Sequence, residues 1–379
     1  MQQLTGVIVR MRWPARFCLG VLLIALLATC RKAEPPLRIG FVGCLTGRVA
    51  GLGVAGHDGV LLAVEEYNRA GGLKGRRVEL VVRDDQLDEK VAAAVMQELL
   101  ATEVVAIIGP MTSTMAAVMQ PAANRAQVVL LSPTVTANRF TDQDDYFLRV
   151  TMPLKVNAGK LADYALRHQR KRIAVCIDTD NAIYTEDWLA SFAQKLELGG
   201  GRVVHVERLS RNATEGFLPL VKRMLEAGPD AVLLLCGAMD TAMAAQQVRK
   251  LGSQLPLFTS EWAFTSDLIA FGGKAVEGMR AFVSYDPASQ TPRHLAFLAD
   301  FEKRFGYRPS FAAVLGYDAA TYLLAALERN PQREGLKATL LELGHFPGLQ
   351  GEIRVNRFGD AERQTFLAVI REGQFTADR

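Results

Sequence analysis

The chain has 379 residues, of which 49% are hydrophobic and 22% are charged, a composition typical of a globular protein long enough for two domains. Its formal charge is +4, but three arginines lie in an acid-free N-terminal segment, so the remainder is close to neutral and nucleic-acid binding loses its main support. Five cysteines in a chain of this length indicate neither a disulfide-rich scaffold nor paired zinc ligands.

The first thirty residues have the pattern of a bacterial export signal. Three arginines precede the apolar run Phe17–Ala28, which at about 1.5 Å per residue is too short to cross a hydrocarbon core of about 30 Å. The run leads into Leu27-Ala-Thr-Cys30, which resembles a lipobox. We therefore expect a signal peptide over 1–29, lipid on Cys30 and a tether over 30–36. Secretion without lipid and a start at Met11 stay open as alternatives.

From Leu37 onward, apolar strand patterns alternate with helical patterns. The predicted strands of the first series are Leu37–Val42, Arg77–Val82, Val104–Ile108 and Gln127–Leu131. The predicted helices between them are Val54–Asn68, a helix that is capped by Asp88 and ends at Leu100, and Ser113–Asn124. Short, continuous apolar strands between helices are typical of a parallel sheet that is covered on both faces.

The same pattern restarts at Pro153. The predicted helices of the second series are Pro153–His168, Glu186–Leu198, Glu215–Ala227 and Ala242–Leu251. Each is followed by a predicted strand, and these strands are Arg172–Ile177, Val203–Val206, Ala231–Leu235 and Leu257–Thr259. Beyond Tyr285 we expect two helices and two short strands, at Pro292–Phe305, Ala312–Arg329, Glu352–Val355 and Thr365–Ile370. The predicted fold class is α/β, with two doubly wound parallel-sheet lobes and a ligand cleft at the carboxyl ends of the strands.

One glycine motif suggests a nucleotide site that its spacing argues against. Gly51-x-Gly53-x-x-Gly56 matches the dinucleotide motif, but Cys44–Ala50 separates it from the preceding strand. The next strand-end acids, Asp84 and Asp85, follow Gly56 by nearly thirty residues, whereas the motif places its acid about twenty residues on. We therefore expect no cofactor. The five histidines lack metal-ligand spacing and no nucleophile–base motif occurs, so the sequence indicates neither a metal site nor an enzyme.

Hydroxyl side chains follow two neighbouring strands of the first series. Ser113 lies where a strand end runs into a helix, whose first N–H groups are unpaired and carry the positive end of the helix dipole. Thr134 and Thr136 follow the next strand. Two donor-rich strand ends without Lys or Arg favour a small anionic group, while simple helix capping by Thr112 or Ser113 is the commoner explanation of such residues.

In the second series, Tyr184 and the pair Glu261-Trp262 follow strands. Glu261 could pair with an ammonium group, and the aromatic rings could cover apolar surface. A solvated Glu261 beside a packed Trp262 explains the same residues equally well. Asp178-x-Asp180 begins like a calcium loop, but Ala182 stands at the next ligand position, which argues against calcium.

Short motifs spread along the chain carry a resemblance to a known family. They are Ile39–Gly47, Ala63–Asn68 with Gly71–Gly75, Asp84–Asp88, Ile108–Pro110, Ser132–Thr134, Gly273–Gly278 and Gly316–Ala319. In order and spacing they resemble the leucine/isoleucine/valine-binding family of type I periplasmic solute-binding proteins of ABC importers, from Leu37 to about Gln374. The resemblance implies three crossings between lobes, near Pro153, Ser284 and Gln364. It implies an N-terminal lobe of 37–153 plus 285–364 and a C-terminal lobe of 154–284 plus 365–379.

The resemblance also assigns roles by motif position. It implies that Ser113, Thr134 and Thr136 bind a ligand carboxylate. Glu261 corresponds to the acid that holds the ligand ammonium, and the remaining pocket positions fall on Met111 and Tyr184.

The expected pocket departs from the family in its walls. Leu52 stands where amino-acid binders carry an aromatic lid, and Ala238 stands near the position of a second tyrosine. Leu87 and Thr112 replace a cysteine pair that bridges the first lobe in some members. The retained carboxylate and ammonium positions favour an α-amino acid, whereas the altered walls leave its side chain open.

We therefore expect a non-catalytic receptor in the periplasm or at the cell surface, anchored through Cys30. It would close on an apolar, branched-chain or related amino acid and deliver it to the permease and ATPase subunits of an ABC importer. We expect a monomer that binds no nucleic acid. Two alternatives stay open: the same fold binding an aromatic or short-chain carboxylic acid or amide, and a lipoprotein adaptor or sensor. Glu261 separates the first alternative from the main hypothesis, because a ligand without an ammonium would leave its charge unpaired.

Overall fold

The computed structural model describes residues 34–210, 212 and 214–378. The expected signal peptide over 1–29 and the expected lipid site at Cys30 lie outside the described residues. Leu37–Arg379 forms one unit, distinct from Met1–Pro36, and all of the elements below belong to it.

Five parallel strands form the first sheet, in the order β2-β1-β3-β4-β5. Their bounds are Leu37–Gly43 for β1, Val78–Asp84 for β2, Ala106–Ile108 for β3, Val129–Ser132 for β4 and Phe147–Arg149 for β5. The connecting helices are α1 (Ala50–Arg69), α2 (Glu89–Ala101) and α3 (Ser113–Ala126). The central strands are buried along almost their whole length, as expected for a sheet with helices on both faces.

Seven strands form the second sheet, in the order β15-β14-β10-β9-β8-β6-β7. They are β6 (Arg172–Asp178), β7 (Arg202–Leu209), β8 (Ala231–Leu235), β9 (Leu257–Thr259), β10 (Arg280–Val283), β14 (Phe366–Arg371) and β15 (Gln374–Ala377). Its helices are α4 (Lys155–Arg167), α5 (Ala182–Leu198), α6 (Phe217–Glu226), α7 (Ala238–Lys250) and α8 (Ser266–Gly272). Strands β6–β10 are parallel, which confirms the predicted α/β class, and β14 and β15 add an antiparallel edge.

Between β10, the last parallel strand of this sheet, and β14, the first strand of the antiparallel edge, the chain forms three helices and a small sheet. The helices are α9 (Pro292–Phe305), α10 (Phe311–Arg329) and α11 (Leu336–Leu343), and the antiparallel strands are β11 (His345–Pro347), β12 (Glu352–Val355) and β13 (Ala361–Glu362). Within the described part of the chain, α10 is the helix long and apolar enough to cross a membrane, but 78% of its apolar window is buried inside the protein. Its burial identifies it as a core helix.

Helices α1 and α10 pack at backbone distance. A Cβ atom at Gly59 would lie 2.1 Å from the Ala313 carbonyl oxygen, and one at Gly316 would lie 2.3 Å from the Gly56 carbonyl oxygen. Neither approach leaves room for a side chain, so the glycines set the distance between the two helices. This contact attaches α10 to the helix layer of the first sheet.

We call the β1–β5 sheet with α1–α3, α9 and α10 the first lobe, and the β6–β10 sheet with α4–α8 and β14–β15 the second lobe. The chain leaves the first sheet after Arg149, leaves β10 after Val283 and re-enters the second sheet at Phe366. The crossings expected near Pro153, Ser284 and Gln364 fall in these three intervals. The exact lobe boundaries stay a prediction.

Local signals explain where several elements begin. Asp88 caps α2 as predicted, because its carboxylate accepts hydrogen bonds from the N–H groups of Lys90 and Val91. Helix α1 begins at Ala50, one turn before the predicted start at Val54, so the glycine motif lies inside a helix.

A packing requirement explains the middle glycine of that motif. A Cβ atom at Gly53 would lie 2.0 Å from the Cys44 carbonyl oxygen, so a side chain at this position would collide with the end of β1.

The sequence leaves open whether Cys176 and Cys236 pair. In the structure they are free, buried thiols with their Sγ atoms 3.8 Å apart.

Candidate functional site

A cavity lies between the two lobes, beyond the carboxyl ends of strands from both sheets. The enclosed space is small, since the volume of about 330 Å³ that is free of protein atoms includes space that is open to solvent. Its walls follow β3, β4, β6 and β9 and include the starts of α1 and α10. The lining residues are Leu52, Met111, Thr112, Ser113, Thr134, Thr136, Asn181, Tyr184, Glu261, Trp262 and Phe311.

The structure brings together the predicted cleft residues, with the exception of Ala238. Sequence reasoning did not assign a binding role to Thr112, Asn181 or Phe311, which also line the cavity. Asn181 carried a signal, because it lies in the same strand-end segment as Tyr184. Phe311 carried none, because it begins a helix far along the chain from the other walls.

One wall of the cavity consists of neutral hydrogen-bond donors at the start of α3. Ser113 is buried there and lines the cavity. The neighbouring hydroxyls of Thr112 and Thr114 are also buried without a described partner. The N–H of Thr114 donates to Oδ1 of Asn181 from the second lobe, at 3.2 Å. This wall offers free donors and the positive end of a helix dipole, which suits a carboxylate.

The loop after β4 adds to the same wall. Oγ1 of Thr134 donates to the Met111 carbonyl at 2.6 Å, which holds the two loops together and engages the hydroxyl proton that a ligand carboxylate would need. Thr136 lines the cavity two residues later. Among the described lining residues there is no Lys or Arg, so an anion here would meet only neutral donors.

The opposite wall carries a buried carboxylate. Glu261 lies in a short helical turn after β9, and both of its oxygens accept hydrogen bonds from Ser284, one from the backbone N–H and one from Oγ at 2.8 Å. Burial raises the pKa of Glu261 to about 7, although the Ser284 hydrogen bonds and the charge of Arg363 oppose that shift. No basic side chain among the described residues forms an ion pair with it. The carboxylate is therefore placed to accept a cation or a proton.

Apolar and aromatic side chains close the rest of the cavity. The rings of Tyr184 and Trp262 meet edge to face, with centroids 5.8 Å apart and planes at 84°. Burial raises the pKa of Tyr184, so its hydroxyl stays protonated. Leu52 at the start of α1, Met111 and Phe311 face these rings from the first lobe. The cavity thus combines one anion-binding wall, one carboxylate and an apolar remainder.

Ala238 lies beyond Trp262, in an adjoining small cavity. Leu52 and Trp262 line both cavities and separate them. The hydroxyl of Thr265, which lines the second cavity, is buried without a described partner. Ala238 could therefore contact only a ligand that extends past the Leu52–Trp262 boundary.

Within the described residues, no group of three or more His, Cys, Asp or Glu side chains could hold a metal ion.

Comparison with known proteins gives a consistent result along the chain. The family model for periplasmic binding proteins matches residues 36–374. The Leucine-, isoleucine-, valine-, threonine-, and alanine-binding protein of Pseudomonas aeruginosa is 26% identical over 348 residues, which cover 90% of this chain and 92% of that protein. A Leu/Ile/Val-binding protein of Rhizobium johnstonii is 25% identical, covering 91% of this chain and 94% of that protein.

Solved structures of similar fold include several binding proteins. A leucine-binding protein from Thermotoga maritima aligns with a TM-score of 0.82 at 24% identity, covering 90% of this chain and 98% of that chain. A branched-chain amino acid transporter substrate-binding protein from Streptococcus pneumoniae, solved with isoleucine, aligns at 0.83 and 22% identity with the same coverage. A solute-binding protein of an ABC transporter from R. palustris, solved with benzoate, aligns at 0.83 and 20% identity, covering 90% and 95%.

Proposed function

Because the chain belongs to the periplasmic binding protein family, and within it to the Leu/Ile/Val-binding proteins of ABC transporters, we propose that its cavity binds an α-amino acid with a small or branched apolar side chain. The protein is an extracytoplasmic solute-binding component of an ABC transporter and not an enzyme. In this proposal the lobes close on the amino acid and present it to the permease and ATPase subunits.

One observation carries the proposal: the cavity has opposite electrostatic character on its two lobes. Ser113 and the start of α3 offer neutral donors and a helix dipole, whereas Glu261 offers a buried carboxylate without a basic partner among the described residues. A zwitterion satisfies both walls at once. An anion alone would leave Glu261 unpaired, and an amine alone would leave the donors unused, and either outcome costs free energy in a buried site.

The remainder of the cavity supports an apolar side chain of limited size. Leu52, Trp262 and Phe311 offer carbon surface and no ionised group. The small free volume suits a short or branched chain better than a long one. The names of the Pseudomonas and Rhizobium relatives point to the same class of ligand.

A second candidate is a small aromatic or aliphatic carboxylic acid. The pKa of Glu261 near 7 favours it, because a protonated Glu261 removes the penalty of an unpaired charge. The fold neighbour from R. palustris was solved with benzoate, a ligand without an ammonium group. The two candidates differ in whether the charge of Glu261 contributes to binding.

Glu261→Gln separates the candidates. The substitution keeps the size of the side chain and removes the charge, so affinity for L-leucine should fall by roughly ten- to a hundredfold, the value of a buried charge-assisted contact of about 1.5–3 kcal/mol. The des-amino analogue 4-methylpentanoate should bind the wild type poorly and gain relative to L-leucine in the variant. Calorimetry on both proteins with both compounds gives the four affinities of the cycle.

Glu277→Gln is the matched control. Glu277 also accepts hydrogen bonds from two N–H groups, those of Glu372 and Gly373, but it lies outside the cavity. Its substitution should leave both affinities unchanged. Equal affinity of the wild type and Glu261→Gln for L-leucine, or tighter binding of 4-methylpentanoate, would favour the carboxylic-acid candidate. Native mass spectrometry of the freshly purified protein would identify any ligand retained from the cell.

We further propose that Cys30 is lipidated and anchors the protein to a membrane. The proposal rests on the arginine-rich start, the apolar run Phe17–Ala28 and the lipobox-like Leu27-Ala-Thr-Cys30. Intact-mass measurement on the membrane fraction should give a chain that begins at Cys30 and carries acyl groups. An unmodified Cys30, or cleavage at another bond, would contradict it.

A further inference from the structure

An arginine beside the cavity reaches from one lobe to the other. Arg48 belongs to the loop between β1 and α1 in the first lobe. Its Nη2 atom lies 2.8 Å from Oδ2 of Asp178 and 2.5 Å from Oδ2 of Asp180, and its Nη1 atom contacts Oδ2 of Asp240. Asp178 ends β6, Asp180 lies in the following turn, and Asp240 lies in the first turn of α7, all in the second lobe.

These ion pairs are shielded from solvent. The side chain of Arg48 is 21% exposed, whereas those of Asp178, Asp180 and Asp240 are 0%, 9% and 11% exposed. Burial raises the pKa of Asp178, and Arg48 opposes that shift. Ion pairs that are withdrawn from water are screened less by salt than surface pairs, and removing one partner leaves a buried charge uncompensated. Loss of the Arg48 contacts should therefore cost more free energy than loss of an exposed ion pair.

The loop that carries Arg48 leads directly into the first turn of α1, where Leu52 lines the cavity. In the loop, Cγ1 of Val49 would lie 3.0 Å from a Cβ atom at Gly237 of the second lobe. In the first turn of α1, a Cβ atom at Gly51 would lie 2.3 Å from Oδ2 of Asp267 in α8. The second lobe thus contacts the loop at Arg48 and Val49 and the first turn of α1 at Gly51, immediately before Leu52 in the chain.

We infer that Arg48 is a positioning residue for ligand retention: its ion pairs with Asp178 and Asp240 stabilise the closed arrangement of the lobes and keep Leu52 over the cavity. The partners belong to different lobes, so the pairs exist only when the lobes are together. Ligand enters the open form before the pairs exist, and it leaves only after they break. Arg48 should therefore act on the dissociation rate rather than on the association rate.

The kinetic test compares Arg48→Met with the wild type, using L-leucine as the probe and Trp fluorescence in a stopped-flow instrument. This test rests on the proposed function. Dissociation should become roughly ten- to a hundredfold faster, as expected for loss of a partly buried charge-assisted contact, while association changes little. Arg48→Lys keeps the charge but not the forked geometry, so it should recover part of the loss.

Two further variants separate the ion pairs from a general effect of losing a charge. Arg304→Met removes an arginine that pairs with Glu65 inside the first lobe, and it should leave both rates unchanged. The double variant Arg48→Met with Asp240→Asn should lose less than the product of the two single effects, because each single change leaves a charge uncompensated. Multiplicative effects, an equal change in Arg304→Met, or a loss confined to association would overturn the inference.

A ligand-free measurement keeps the inference testable if L-leucine does not bind. In small-angle scattering without ligand, Arg48→Met should have a larger radius of gyration than the wild type, because the variant lacks the ion pairs that favour the closed arrangement. Arg304→Met should keep the radius of the wild type. Equal radii of the wild type and Arg48→Met would overturn the inference. Failure of L-leucine to bind, with these radii as expected, would count against the proposed function alone.

Discussion

Glu261 is oriented by Ser284, a residue of the second crossing between the lobes. The Ser284 hydroxyl donates to the carboxylate at 2.8 Å and lies 3.3 Å from Oγ1 of Thr151, at the first crossing. The side chain that faces the cavity is therefore connected to two of the three segments that join the lobes. A ligand group bound to Glu261 would therefore be linked through Ser284 to two of these segments.

The raised pKa of Glu261 predicts a pH dependence of amino-acid binding. Below its pKa of about 7 the carboxyl group is increasingly protonated and cannot pair with an ammonium, so affinity for L-leucine should fall by up to about tenfold per pH unit from pH 7 downward. Above about pH 8 the affinity should level off. Calorimetry between pH 5.5 and 8 in buffers of different ionisation enthalpy should also detect proton release on binding at the acidic end.

Glu261→Gln supplies the control for this pH profile. The variant has no titrating group at this position, so its weaker affinity should vary little over the same range. A flat profile in the wild type would contradict the assignment of Glu261 as the ammonium partner. A profile in which affinity rises as pH falls would instead support the carboxylic-acid candidate, because protonation would then favour binding.

Residues of the cavity could be predicted where they follow a strand directly. Ser113, Thr134 and Glu261 were identified in this way, because the carboxyl ends of parallel strands meet at one edge of a sheet. Ser284 and Phe311 could not be identified, since their proximity arises from the crossings and from the return of α10 to the first lobe. No local pattern in the sequence reports such contacts.

At the level of elements, the packing of α1 against α10 leads to a prediction about Gly59. Alanine is favoured over glycine inside a helix by about 1 kcal/mol, so propensity alone would make Gly59→Ala stabilising. The new Cβ atom would however lie 2.1 Å from the Ala313 carbonyl oxygen, and the helices would have to separate. Overpacking typically costs about 1–3 kcal/mol, so chemical denaturation should show a lower free energy of unfolding.

Gly159 offers a matched comparison within the same protein. It lies inside helix α4, and a Cβ atom there would meet nothing within 4 Å. Gly159→Ala should therefore raise the free energy of unfolding by about 0.5–1 kcal/mol, through propensity and reduced freedom of the unfolded chain. If the two variants changed stability in the same direction, the contact between α1 and α10 would not limit the size of residue 59.

Most elements could be predicted from runs of apolar residues, but not all of them. The predictions of β8, β9 and β12 match the structure residue for residue, because each strand is a short apolar or alternating run with clear ends. Strands β5 and β10 and helices α8 and α11 were not predicted, since they are short and their sequences have no distinctive period. The antiparallel edge was also missed, because the pairing of β14 with β10 depends on the third crossing.

On the scale of the whole molecule, several of the described contacts between the lobes are polar and local. Besides Arg48, the N–H of Thr114 donates to Asn181, and the N–H and side-chain amide of Asn138 donate to Asp187 at 2.6 and 2.9 Å. Hydrogen bonds and ion pairs of this kind can exchange with water when the lobes separate. A ligand in the cavity would favour closure through its contacts with both lobes.

Closure by rotation about the crossings predicts a change of shape on binding. A compact chain of this length has a radius of gyration of roughly 20 Å, and saturating L-leucine should reduce the radius of the ligand-free protein by a few per cent as open molecules close. Small-angle scattering measures the change directly. At one subsaturating concentration of L-leucine, Glu261→Gln should show a smaller change than the wild type. An unchanged radius with binding confirmed by calorimetry would mean that the lobes are already closed without ligand. The three crossings would then hold one fixed arrangement, and ligand would have to enter by local movement of the first turn of α1, which carries Leu52.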